Sequence, residues 1–195
     1  MLMMVLISIS LSTFSRAAFD TFSDVPNDSP FHESIFYLAE RGIVCGEGNG
    51  RYVPDAPVTV RQWATMLCRA LDEEPEGASW QEVSTNAVQT AVRKAWLQPT
   101  AIGDETGFIC RGELFLSAFA AMKIPLYDAT LYGLEWLSDS ENALRVGKAL
   151  GLCAENKTVT ELVTRAEVAQ ILHAVLTQNL AVTSPNTPVS VENRM

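Results

Sequence analysis

Histidine is scarce in this chain. His32 and His173 are the only two among 195 residues, which leaves little material for acid–base catalysis or a histidine-built metal centre. Positive charge is short as well: 14 Lys and Arg against 23 Asp and Glu leave a formal net charge of −9. Binding to a nucleic-acid backbone needs a dense basic face, so DNA and RNA are excluded as partners. No apolar run reaches the roughly 20 residues that a membrane-spanning helix requires. The four cysteines, Cys45, Cys68, Cys110 and Cys153, contain no Cys-x-x-Cys pair, and there is no His pair at metal-ligand spacing. They are expected to be packing thiols rather than disulfides, with no metal site and no cofactor. Cys68 stands among Met66, Leu67, Ala70 and Leu71, where a thiol behaves as a small hydrophobe. No nucleophile motif such as G-x-S-x-G occurs, and the chain reads as a non-enzyme. Disorder throughout is excluded from the other side, because 48% of the residues are apolar.

What is present begins with an apolar stretch, Leu2 to Leu11, followed by Thr13-Phe14-Ser15-Arg16-Ala17-Ala18. Small residues at Ser15 and Ala17 suit the −3 and −1 places of a cleavage point, so residues 1–17 read as a secretory signal peptide. The usual positive residues ahead of the apolar core are missing, since the chain opens Met-Leu-Met-Met. Export follows as an expectation.

The rest of the chain repeats itself. Phe22-Ser23-Asp24-Val25, Trp80-Gln81-Glu82-Val83 and Trp136-Leu137-Ser138-Asp139 each place an acid just after an aromatic residue, and a helical pattern follows each. Phe31, Ile35, Leu38 and Ala39 form one stripe of a helix in the first, with Ser29 expected at the N-cap, Pro30 at the first helical position and Gly42 at the exit. The corresponding stretches run through Ala87 to Ala95 and Ala143 to Leu150. A second helix then begins at Thr59, at Arg111 and at Thr164. One such helix pair cannot cover its own apolar face, whereas three around a common axis can. The sequence therefore predicts an all-α fold of three helix-loop-helix repeats in a pseudo-threefold bundle, at 19–74, 75–126 and 127–180. The Pro-, Ser- and Thr-rich tail 181–195 reads as a flexible linker. No separate cargo domain is read besides the repeats.

The second helices carry the chemistry. Thr59-x-x-Gln62 and Thr164-x-x-Glu167 are capping boxes, which explain those Thr, Gln and Glu side chains structurally. Arg165 is different. A cation in the first turn opposes the helix dipole and makes sense there if it meets an anion, because a helix N-terminus plus a guanidinium suits a carboxylate or phosphate. Arg111 has the same offset from Glu113, with Cys110 in place of the capping Thr. In the first repeat Val60 takes that place and Arg61 follows it, rotated around the helix.

Phe22-Ser-Asp-Val-Pro26, the helix end Gly42-Ile43-Val44-Cys45-Gly46, the loop Gly48-Asn49-Gly50-Arg51-Tyr52-Val53-Pro54 and Thr164-Arg165-Ala166-Glu167 resemble the S-layer homology family. The likeness is strongest over residues 22–72, weaker over 136–178 and weakest over 80–122. It implies a non-enzymatic module that attaches an exported protein to the bacterial cell wall through an anionic secondary cell-wall polysaccharide, often one bearing a pyruvate ketal. It also implies ligand contacts at Arg165, Arg111 and Arg61, at Asp24, and at the loop glycines Gly46, Gly48 and Gly50. Three departures stand out. Pro30 replaces the family's usual Trp, Val60 replaces its key Arg in the first repeat, and the second and third repeats lack the glycine-rich loop. These leave a second reading open, a degenerate module that binds another envelope protein or serves a structural role.

Overall fold

A computed structural model describes residues 22–124, 126, 138–178, 180–183 and 188–191. The expected signal peptide, and Trp136 and Leu137 of the third repeat opening, lie outside the described residues. The fold is helical, as the sequence predicts. The elements are α1 (His32–Glu40), α2 (Val60–Ala70), α3 (Trp80–Arg93), a 3₁₀ turn (Pro99–Ala101), α4 (Arg111–Met122), α5 (Asp139–Ala149) and α6 (Arg165–Thr177). A short antiparallel pair follows, β1 (Leu180–Thr183) with β2 (Pro188–Val191). It falls where composition suggested only a linker; Val182, Thr183, Val189 and Val191 are the β-branched residues that favour pairing.

The helices pair across units rather than within them: α2 packs on α3, α4 on α5, and α6 on α1. The leading ends of α2, α4 and α6 make the matching connections. Each offers its first two N–H groups, which have no partner inside a helix, to the loop ahead of another helix. Val60 and Arg61 donate to the carbonyls of Gly107 and Glu105 at 2.9 and 3.0 Å. Arg111 and Gly112 donate to Glu161 and Val159 at 2.8 and 2.9 Å, and Arg165 and Ala166 to Ala56 and Pro54, both at 2.9 Å. So α2 docks on the loop before α4, α4 on the loop before α6, and α6 on the loop before α2. The cycle closes. Beside these bonds run the bridges Pro57–Thr164, Thr59–Phe108 and Cys110–Leu162. Residues alternate there with the period of extended chain: Val58, Ile109 and Val163 are buried, while Phe108 and Leu162 are about half exposed.

The core lies inside this cycle and contains Ile35, Leu38, Trp63, Leu67, Val88, Phe115, Phe119 and Leu172, all essentially inaccessible to water. Trp63 is satisfied there by donating its Nε1–H to the Ser117 hydroxyl, as a buried indole requires. Gly147 brings α5 against α4 so closely that a Cβ would stand 2.8 Å from the Phe115 ring.

The helix starts correct part of the sequence reading. Ser29 does not cap α1; its Oγ accepts from the Phe31 N–H at 3.3 Å and its carbonyl from the His32 N–H at 3.0 Å, so a separate turn precedes the helix. Trp80 is the first residue of α3, with Ser79 as N-cap accepting from the Glu82 N–H. Asp139 likewise opens α5, behind a Ser138–Glu141 capping box. The first two aromatic–acid openings are therefore not equivalent in space. A serine that can accept from N3 starts α3 and α5 at once, whereas Pro26 and Pro30 interrupt the first opening. The exits are more alike. Gly42, Ala95 and Gly151 all have positive φ, and in each case the next residue donates back to the helix, Ile43 to Leu38, Trp96 to Ala91 and Leu152 to Gly147. This is the Schellman exit, here with an alanine in the glycine place of α3.

Candidate functional site

Two grooves contain the predicted arginines. In the first, Arg165 reaches from the start of α6 into the loop after α1. It is 4% exposed. Its Nε donates to the Tyr52 carbonyl at 2.8 Å and its Nη2 to the Cys45 carbonyl at 2.6 Å, while its guanidinium lies 4.4 Å from the Tyr52 ring centroid. Tyr52 is buried too and returns its hydroxyl to the Arg165 carbonyl at 3.1 Å. Burial pushes that phenol up to about 12, against the pull of the Arg165 charge, so it stays a donor. The arginine is fixed chiefly by neutral oxygens. Its one carboxylate neighbour among the described residues is Glu47, 3.6 Å from Nη1 and 45% exposed. The cavity beside it has a volume of about 470 Å³, with Gln62 and Arg69 from α2 and the half-exposed Trp80 from α3 on its walls.

The second groove, about 800 Å³, lies between α6, α1 and the loop after α5, with Arg111 in its wall. Arg111 is 2% exposed but its charge is spent. Nη2 donates to Glu167 Oε1 at 2.8 Å, and Glu161 Oε2 stands 3.9 Å from Nε, which has no hydrogen-bond partner among the described residues. Lys157 adds a second cation 3.3 Å from Glu167. Burial alone would raise the Glu167 carboxyl; the Thr164 N–H and the Arg111 guanidinium outweigh it and hold the carboxyl below the ordinary glutamate range. Glu167 is thus ionised at neutral pH.

The remaining expected contacts divide. Asp24 is a structural clamp: its two oxygens accept from the Tyr52 and Val53 N–H groups, both at 2.8 Å, and Arg51 Nε lies 3.5 Å away. Val53 has φ +59, a costly place for a β-branched residue, and the clamp holds it there. Gly46 is beside the Arg165 groove, where a Cβ would come within 2.7 Å of the Arg51 carbonyl. Gly48 and Gly50 have positive φ and turn the loop. Arg61 points elsewhere and donates to Gln81 Oε1 at 3.1 Å on the surface. The sequence reading brought together Arg165 and Gly46 but missed Glu47, Gln62, Arg69 and Trp80. Gln62 was absorbed by the capping box, and Trp80 by the repeat opening. All four cysteines are free.

Among the described residues no helix is long and apolar enough to cross a membrane, and no group of three or more His, Cys, Asp and Glu could hold a metal ion. Comparison with known proteins bears on the family. The family model of the S-layer homology domain matches residues 21–59. An S-layer protein of Bacillus thuringiensis subsp. finitimus is 29% identical over 176 residues, covering 80% of this chain, and S-layer protein sap of Bacillus anthracis is 29% identical over the same length and share. The chain spans 21% of the length of each of these relatives. The resemblance is borne out: residues 21–59 carry the S-layer homology signature, and similarity to S-layer proteins extends over most of the chain.

Proposed function

We propose that this chain is an exported bacterial cell-wall-binding module, and that the groove walled by Arg165 receives an anionic group of a secondary cell-wall polysaccharide. The observation that carries the reading is the state of Arg165: a guanidinium almost removed from water, fixed by two carbonyls and a tyrosine ring, beside an open cavity. A cation held this way keeps most of its charge for a ligand, and low local dielectric strengthens the attraction. Trp80 supplies an exposed ring face at the same cavity, a surface on which the apolar face of a sugar can rest. The similarity to S-layer proteins supports attachment to the wall.

The test is sedimentation with purified cell walls, native and stripped of their secondary polymers. Arg165→Ala, checked for folding by circular dichroism, is expected to lose at least about tenfold in retention, because a buried charged hydrogen-bonding group is worth about 1.5–3 kcal/mol. Arg165→Lys is expected to recover only part of it, since an ammonium cannot span both carbonyls as the planar fork does. Retention of folded Arg165→Ala at the wild-type level overturns the assignment. A second reading, docking to an envelope protein, has its own observation: Arg111 is neutralised, Val60 stands at the first position of α2 and Arg61 turns to Gln81, so neither of these helix starts brings an unpaired cation to the two grooves. Equal retention on stripped walls would decide for it.

A further inference from the structure

The two grooves share one feature, and the residue that supplies it differs between them. In each, the residue at N3 of the second helix completes a capping box and also stands against the arginine's cavity. In α6 that residue is Glu167. One oxygen accepts from the Thr164 N–H at 3.0 Å, and the other takes Arg111 at 2.8 Å. In α2 it is Gln62. Its Oε1 accepts from the Thr59 N–H at 2.9 Å, so the cap is kept, but its other atom is an amide nitrogen. That nitrogen donates to Glu47 Oε1 at 3.4 Å, the same oxygen that lies 3.6 Å from Arg165 Nη1.

A carboxylate oxygen therefore already occupies the point where Gln62 and Arg165 converge. The contacts holding it are long, and its side chain is 45% exposed, so it can swing into water at small cost. Glu167 cannot follow suit. Leaving Arg111 would break the capping box and strand a buried guanidinium, which is costly.

Resting on the wall-binding reading above, we infer that Gln62 is the specificity-determining residue of the Arg165 groove: a sugar carboxylate displaces Glu47 and is held between Gln62 Nε2 and Arg165 Nη1, while Glu167 closes the Arg111 groove to anions. The chain then takes one acidic sugar. The ligand class is a carboxylate on a saccharide, whether of a pyruvate ketal or of a uronic acid.

Calorimetric titration of the whole chain with three probes tests this. They are a methyl N-acetylhexosaminide bearing a pyruvate ketal, a methyl glucuronide, and the same hexosaminide with an uncharged ethylidene ketal. Gln62→Glu preserves the capping box, as Glu167 shows, so folding is not at issue; it is expected to weaken the better carboxylate probe about tenfold or more. Glu47→Gln is expected to tighten it severalfold, and neither change should alter the uncharged ketal. Glu167→Gln is expected to raise the stoichiometry from one to two. If wild-type and Gln62→Glu chains bind the charged probe equally, or if the uncharged ketal binds as well as the charged one, the assignment of Gln62 is wrong although wall attachment can stand. If the wild-type chain retains no probe but still sediments with native walls, the ligand is not a sugar carboxylate. Loss of sedimentation itself is the separate failure of the wall-binding reading.

Discussion

At the scale of single residues, Asp24 shows how a side chain expected at a ligand also builds the frame. Burial works to raise its carboxyl, but the N–H groups of Tyr52 and Val53 and the charge of Arg51 together bring it below the ordinary 3.8. A folded value below the unfolded one means that the clamp contributes its full stability above about pH 3.8 and loses it as pH falls through the lower folded value. Asp24→Asn should therefore melt earlier than the wild-type chain at pH 7, by about 1–3 kcal/mol for the charged hydrogen bonds weakened. That gap should shrink as the melts are repeated towards pH 2. A gap that stayed constant with pH would mean the charge plays no part. The acid–aromatic opening was legible as a motif, yet its role was not, because two backbone donors twenty-eight and twenty-nine residues onward meet it only in the fold. Arg165 was legible for the opposite reason: a cation at a helix start violates local electrostatics, so it stands out before any contact is known.

At the scale of elements, the second helices were read well and the first helices less so. Thr59 and Thr164 announce α2 and α6 because a capping box uses residues three apart and nothing remote. Ser29 has the same chemistry but lies in a proline-flanked turn, and its bonds go to Phe31 and His32. How helices approach one another is still further from local pattern. Gly147 looks like a weak point in α5, since glycine lowers helix propensity, and its reason appears only in the contact with Phe115. Gly147→Ala should accordingly destabilise the chain by about 1–3 kcal/mol, overpacking outweighing the gain in propensity. Chemical denaturation measures this directly. An unchanged or raised midpoint would show that the fully buried Phe115 ring can move aside, which its packing denies.

For the whole molecule, the attachment proposed above raises the question of how a chain of net charge −9 could bind an anionic polymer. The answer offered by the fold is separation of scales. Arg165 attracts over a few ångströms inside a cavity sheltered from water, whereas the surplus of acids repels over the distance that salt can screen, about 8–10 Å at ordinary ionic strength. Added salt thus weakens the repulsion while leaving the buried contact largely intact. Retention on native walls should change by no more than about threefold between about 0.05 M and about 0.5 M NaCl, or should rise at first. A basic surface patch would instead lose orders of magnitude, as binding by counterion release does. A steep fall in wall sedimentation over this range would place the contact on exposed lysines and arginines and remove the buried guanidinium from the mechanism. The fold that permits this separation is the closed cycle, because only docking α6 back onto the loop before α2 buries Arg165. That closure joins residues more than a hundred positions apart, which is why periodicity could suggest helices around a common axis while leaving unseen which groove would pair its arginine only with the half-exposed Glu47.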